Sequence, residues 1–248
     1  MSFSDQEVER YARHLVLREI GGPGQQKLKA AKVLLVGVGG LGAPAGLYLA
    51  AAGAGRIGLL DPDEVSLSNL QRQVLYGVGD LGRGKALSAG LHLSQLNPEI
   101  ELEPIPERLT DANARQLIEP WDLVIDGTDD FVTRFAVNAA CVAECKTLVS
   151  GAIGRWSGQV GVFAGQPCYQ CLVPEVPPDA ETCSAVGVVG ALAGVIGAMM
   201  ALEAVKIITG AGDSLAGRLL IYDALDAETR TVRVGADPVC PVCSALRT

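Results

Sequence analysis

The chain has 248 residues, with 20 Lys and Arg against 28 Asp and Glu, a net charge of −8 and 49% hydrophobic content. That length and apolar fraction suffice for one large core or two small ones, and the acidic balance excludes nucleic acid as the main partner, because phosphate backbones call for a basic face. With aromatics at 4% and 30 glycines, the core is built from small aliphatic residues and the backbone makes many tight turns.

In chain order, Ser4 and Glu7 have the spacing of a capping box and predict an N-terminal helix. Tyr11, Leu15 and Val16 are expected on its apolar side, and Gly21-Gly-Pro-Gly24 is expected to end it. The apolar run over 33–36 reads as a buried strand, followed by a glycine turn and a small-residue helix over 43–52 that Gly53 closes. A second strand over 57–60 ends at Asp61. A helix over 84–96 is stopped by Asn97-Pro98. Strands over 99–103, 123–125 and 147–150, with a helix over 132–144, continue the rhythm. This pattern predicts an α/β fold with a doubly wound, mostly parallel Rossmann-like sheet. Beyond Gly151, strands over 159–163, 219–222 and 231–234 read as an antiparallel C-terminal extension, and residues 174–184 as a Pro-rich, acidic loop. No linker separates two domains, so 1–248 reads as a single domain: a helical arm over 1–30, a nucleotide-binding half over 31–151 and a second half over 152–248.

Residues 1–5 show neither the basic nor the apolar region of a secretory leader. Residues 182–202 carry no charge and include Gly190-x-x-x-Gly194, as a membrane span would. Interior glycines, and Glu203 and Lys206 on the continuing helical pattern, favour a buried core helix instead. The expected location is the cytoplasm, with no membrane partner.

Gly37-Val-Gly39-Gly40-Leu-Gly42 follows an apolar strand and opens a helix. In that context glycines let the backbone approach a phosphate, and the helix N-terminus supplies N–H donors. Asp61, about twenty residues on, is placed to accept a ribose hydroxyl. This unit suits NAD as well as ATP, so the cations must distinguish them. Gly79 to Lys85 matches GxxxxGK, but Ala86 replaces the Ser or Thr that would reach magnesium, and the P-loop reading is rejected. Lys85 at a helix start calls for a neighbouring anion, and a phosphate is one candidate. Arg72, in Asn69-Leu-Gln-Arg72, offers a planar fork for phosphate oxygens or a surface salt bridge. In Asp126-Gly-Thr-Asp129-Asp130, either Asp129 or Asp130 can bind magnesium or cap the following helix.

Of seven cysteines, Cys168 and Cys171 form one CxxC and Cys240 and Cys243 another. Four thiolates in two knuckles are the set of a closed, structural zinc site; two redox pairs are the alternative. His14 and His92 are the chain's only histidines, and neither lies near a CxxC.

Taken in order, Tyr11-Ala-Arg13-His14, Gly37 to Gly42, Ser66-Leu-Ser68-Asn69-Leu-Gln-Arg72-Gln73, Lys85, Asp126 to Asp130 and the CxxC pairs resemble the ubiquitin-activating-like adenylyltransferases of prokaryotes, especially members of the molybdopterin and thiamine pathways. The resemblance runs nearly end to end. It implies adenylylation, with ATP and Mg2+, of the C-terminal glycine carboxylate of a small β-grasp sulfur carrier: the molybdopterin-synthase small subunit or the thiamine carrier. It assigns Gly37, Gly39, Gly40, Gly42, Asp61, Ser68, Asn69, Arg72, Lys85, Asp129 and Asp130 to the nucleotide, Asp129 to magnesium and the CxxC pairs to Zn2+. It also implies that 152–248 binds the carrier, and that Arg13 acts in the partner subunit's site of a homodimer. Cys183 falls where some relatives bond covalently to the carrier, or is an ordinary loop cysteine. No rhodanese-like segment follows Cys243, so sulfur is expected from a separate donor such as a cysteine desulfurase or a rhodanese. A hydride-transferring NAD enzyme and a non-catalytic nucleotide sensor are the readings of another class.

Overall fold

In β1 (Lys32–Val36), Val33 and Leu35 point to one face of the central sheet and Leu34 and Val36 to the other, and all four are buried. A strand apolar on both faces needs cover on both sides, and the chain provides it. The computed structural model describes residues 3–176 and 187–246. Its remaining strands are β2 (Arg56–Leu60), β3 (Glu101–Ile105), β4 (Leu123–Asp126), β5 (Thr147–Gly154), β6 (Ser157–Phe163), β7 (Arg218–Asp223) and β8 (Glu228–Arg233). They form one sheet in the order β3-β2-β1-β4-β5-β6-β7-β8. The first five strands are parallel; β6, β7 and β8 continue antiparallel.

The helices are α1 (Asp5–Arg10), α2 (Ala12–Leu15), α3 (Gly21–Ala30), α4 (Gly42–Ala52), α5 (Lys85–Leu96), α6 (Ala114–Ile118), α7 (Phe131–Ala143), α8 (Tyr169–Leu172) and α9 (Gly190–Thr209). On one face, Leu49 of α4, Leu93 of α5, and Ile196 and Met200 of α9 pack on Val33, Leu35, Ile57 and Ile125. On the other, Ile118 of α6, Val137 of α7 and Tyr169 of α8 join Leu34, Val124, Leu148 and Trp121. The uncharged segment behaves as its interior glycines suggest. A Cβ on Gly197 would lie 2.6 Å from the Leu41 carbonyl oxygen, so α9 packs directly against α4.

Several expectations change. The N-terminal helix is not continuous: Tyr11 caps α1 and α2 follows at once. Val16 is 77% exposed rather than on an apolar side. Gly21 to Gly24 starts α3 instead of ending a helix. Pro23 sits in the first turn, where no intrahelical N–H is needed, and Gly21 takes φ +55°. The third strand begins at Glu101, not 99, and its Pro104 is tolerated because β3 is the sheet edge. β8 begins three residues earlier than expected, and all six of its residues are exposed. Residues 177–186 lie outside the described residues, and Cys183 and most of the expected loop fall there.

Candidate active site

β1 lies between β2 and β4, and Val36 stands opposite both Leu60 and Asp126. Three strands therefore end at one level, at the point where chain connections leave β1 in opposite directions. Open α/β sheets bind ligands at that position. A cleft of about 810 Å³ opens there. The glycine turn, Asp61 to Glu64, Gly127 to Phe131, Thr133 and Arg134 form its walls, with Ser66, Asn69, Arg72, Gln73 and Lys85 on the segment that closes one side.

The glycines have different tasks. Gly37 takes φ +82°, which favours glycine. Gly39 and Gly40 line the cleft, but Gly42 does not. A Cβ on Gly42 would lie 1.9 Å from the Gly37 carbonyl oxygen, so this residue closes the turn on itself rather than facing a ligand. The Tyr76 hydroxyl donates to the Val38 carbonyl at 2.7 Å and supports the turn from within the fold.

Asp61 is 5% exposed and accepts the Val38 amide at 2.8 Å and the Asp63 amide at 2.9 Å, one on each oxygen. Burial pushes its carboxyl above the ordinary range, while Lys85 and these amides pull it down. Each oxygen has a further lone pair for a hydroxyl donor.

The segment after β2 carries a short 3₁₀ turn, Leu67–Asn69. Arg72 folds back over it, Nη1 donating to the Ser68 carbonyl at 3.1 Å, which presents the guanidinium to the cleft. Ser68 itself does not line the cleft; its hydroxyl pairs with that of Ser66 at 3.1 Å, and Ser66 lines the wall instead. Lys85 starts α5, is 6% exposed, and pairs with Asp63 at 3.1 Å.

At the end of β4 the two acids separate. Asp130 accepts the Thr133 amide at 2.8 Å as the N-cap of α7. Both acids line the cleft, but Asp129, one residue earlier, is the one not engaged as the cap. Arg13 lies on α2 and is exposed, away from the cleft of its own chain.

Sequence reasoning missed the groups that hold this wall. Arg134 is buried; it donates to the Gly151 carbonyl at 2.7 Å and to the Thr128 carbonyl, and stands 3.8 Å from Asp126. Burial opposes its charge most, but Asp126, Tyr169 and Asp129 together outweigh it and the guanidinium stays protonated. Asp126 in turn accepts the Thr128 hydroxyl at 2.6 Å and the Ser150 hydroxyl at 2.9 Å. The signal was an Arg inside an otherwise apolar helix pattern, which a fourfold periodicity alone does not assign to a partner.

The four cysteine sulfurs of Cys168, Cys171, Cys240 and Cys243 lie within 4.8 Å of one another, with Cys168 and Cys240 3.6 Å apart and Cys171 and Cys243 3.4 Å apart. A tetrahedral zinc with sulfurs at about 2.3 Å spaces them about 3.8 Å apart. Asn138 Nδ2 at 3.5 Å from Cys168 Sγ and the Asp237 amide at 3.4 Å from Cys171 Sγ supply outer hydrogen bonds of the kind thiolate ligands attract. The donor set fits a metal ion.

Comparison with known proteins gives a consistent picture. The ThiF family model matches residues 11–242. Over 98% of its length the chain is 47% identical to the sulfur carrier protein adenylyltransferase of Thermus thermophilus, and it covers 93% of that protein. Over 99% of its length it is 48% identical to the adenylyltransferase and sulfurtransferase MOCS3 of Anopheles gambiae, and 46% to the probable adenylyltransferase/sulfurtransferase MoeZ of Mycobacterium tuberculosis. It spans only 57% and 64% of those two proteins. Among solved structures, E. coli MccB superposes with a TM-score of 0.84 over 98% of this chain and 73% of that one, at 24% identity, a likeness of fold.

Proposed function

Because this chain belongs to the ThiF family and is an adenylyltransferase, we propose that it transfers AMP from ATP to the C-terminal glycine carboxylate of a small ubiquitin-like sulfur carrier, releasing pyrophosphate. The observation that carries this reading is the convergence of Asp61, Asn69, Arg72, Lys85 and Asp129 on one cleft around the glycine turn.

The nucleophile is a carboxylate, already ionised at neutral pH, so the reaction needs no general base. Its oxygen attacks the α-phosphorus, and the bond from that phosphorus to the bridging oxygen of pyrophosphate breaks. Charge builds on the α-phosphate and on the leaving group. Arg72 and Lys85 are the fixed cations proposed to stabilise it. Asp129 would hold magnesium, which supplies further neutralisation of the phosphates. Asp61 would orient the ribose, and Asn69 and the Gly39–Gly40 backbone the phosphates.

Arg13 enters this scheme only from a second subunit. Tyr48, Leu87, Leu91 and Leu202 are apolar and 54–62% exposed on α4, α5 and α9, a set that association of two copies would cover. Mixing Arg13→Ala and Asp129→Ala subunits tests this: exchange should partly return, and no recovery removes the shared site.

We further propose zinc as the ion of the cysteine cluster, a structural role for it, and the small subunit of molybdopterin synthase as the carrier, with the thiamine carrier as the alternative. Carrier-dependent exchange of labelled pyrophosphate into ATP tests the whole reading. Exchange with one carrier is expected, and lost in Lys85→Ala and Asp129→Ala proteins that still fold. Absence of exchange with every carrier overturns the reaction.

A further inference from the structure

Asn138 joins the cysteine cluster to the wall of the cleft. It lies on α7 one turn after Arg134 and is 1% exposed, and both ends of its carboxamide are engaged. Oδ1 accepts the Tyr169 amide at 2.8 Å, and Nδ2 donates to Cys168 Sγ at 3.5 Å. A backbone amide can only donate, so it fixes which end of the carboxamide carries oxygen and turns Nδ2 toward the sulfur. Tyr169 follows Cys168 directly and lines the cleft. Its ring meets Phe163 edge-on with centroids 5.7 Å apart, and the Arg134 guanidinium lies 5.9 Å from the ring centre. Its carbonyl accepts the Val173 amide at 3.0 Å, and Val173 lines the cleft as well.

The order of the strands tells which part of the cleft this wall serves. Asp61 follows β2, the glycine turn follows β1, and Asp129 lies past β4, so these groups stand side by side in sheet order. A nucleotide held by Asp61 and the glycine turn extends its phosphates toward β4. Ala152 and Ile153 of β5, Gln159 of β6 and Tyr169 line the remainder, one to two strand spacings of about 4.8 Å further on. That is the side left open to a carboxylate approaching the α-phosphorus. We infer that Asn138 is a positioning residue, through which the metal cluster holds Tyr169 at the carboxylate end of the cleft. The cluster then shapes the path of the substrate as well as anchoring the C-terminal segment. The inference rests on the proposed function for the substrate it names.

Wild type, Asn138→Leu, Tyr169→Leu and the double variant are compared in three ways: zinc affinity by chelator competition, hydrogen exchange at the Tyr169 amide by NMR, and pyrophosphate-exchange kinetics with whichever of the two proposed carriers is active. Asn138→Leu should weaken zinc binding about 10-fold to 100-fold, the usual effect of removing an outer partner of a metal ligand. It should also speed exchange at the Tyr169 amide and raise KM for the carrier about 10-fold, with ATP affinity kept. Tyr169→Leu should raise KM for the carrier similarly and leave zinc affinity unchanged. In the double variant the two KM effects should not add, because Asn138 acts through Tyr169. Asn138→Ser, too short to reach both partners, supplies the same readouts if Asn138→Leu does not fold. Additive KM effects overturn the inference, since a residue that only supports the fold would give them. So does zinc affinity or Tyr169 exchange that Asn138→Leu leaves unchanged, or a wild-type protein that binds no zinc. Wild-type protein without carrier-dependent exchange overturns the proposed function instead, and zinc affinity and Tyr169 exchange then decide the link between cluster and cleft.

Discussion

Lys85 Nζ stands 3.1 Å from Asp63 Oδ2, an ion pair that joins the first residue of α5 to the loop after β2. The anion that a lysine at a helix start calls for is thus supplied by the chain itself. Asp63 also lies 3.7 Å from Arg108, so one carboxylate gathers two cations at the rim of the cleft. The lysine side chain is 8% exposed and the Asp63 side chain 56%. The pair is therefore half-screened, and its acid can give way to a competing anion.

Asp63→Asn should leave Lys85 buried without its counter-ion. The expected loss is about 1–2 kcal/mol, between the values of exposed and buried pairs. Added ATP should then raise the Tm of the variant by more than it raises that of wild type, because phosphate replaces the missing carboxylate. Equal shifts in thermal scans would show that Lys85 does not meet the nucleotide.

Gly190 controls the position of the Arg72 loop. A Cβ at this residue would lie 2.2 Å from the Gln71 carbonyl oxygen, a contact that only backbone movement can relieve. Gly190→Ala is predicted to lower kcat/KM for ATP by about 10-fold to 100-fold, the usual cost of misplacing a binding group by about an ångström. Steady-state exchange kinetics check this, and an unaltered kcat/KM would show that the loop is not held by α9.

The cysteine cluster ties the C-terminal segment to the loop after β6. Metal analysis should find one zinc per chain, and Cys240→Ser should abolish it. Because binding of a structural ion is coupled to folding, Tm should fall by at least about 10 °C. A metal-free wild-type protein with an unchanged Tm would contradict the assignment.

Asp80 predicts an acid-sensitive contribution to stability. The Gly77 amide at 2.8 Å holds its carboxyl below the ordinary value of 3.8; burial opposes this, and His92 at 2.9 Å adds to the lowering. A lowered value in the folded state means that the stabilisation is fully present above about pH 3.8 and is lost as pH falls through the folded value. Wild type should therefore exceed Asp80→Asn in stability at neutral pH, with the gap closing below pH 3.8. Denaturant curves measured across that range would show a constant gap if the argument is wrong.

Much of the fold was legible in the amino-acid order. The strands of the parallel half, the glycine turn, Asp61 and the paired cysteines sit where periodicity and spacing locate them, because these are short-range properties of the chain. The breaks came where one local signal has two meanings. Gly21-Gly-Pro-Gly24 can end a helix or begin one, and Asp129 and Asp130 are equal candidates for a cap until the Thr133 amide selects Asp130. Ser68 and Gly42 belong to the right motifs but turn away from the cleft, since motif membership does not fix which way a residue faces.

By itself, the sequence determined the alternation of elements, the glycine turn and the four-sulfur set. Only tertiary structure decided the pairing of Lys85 with Asp63, the burial of Arg134 against Asp126, the sharing of the Asn138 carboxamide between Tyr169 and Cys168 and the separation of Arg13 from its own chain's cleft. The first three depend on closure of the sheet and the packing of the elements around it, and the last on the placement of the N-terminal arm. Hydrophobic periodicity specifies a local face; the partner across a cleft is specified by where the rest of the chain packs.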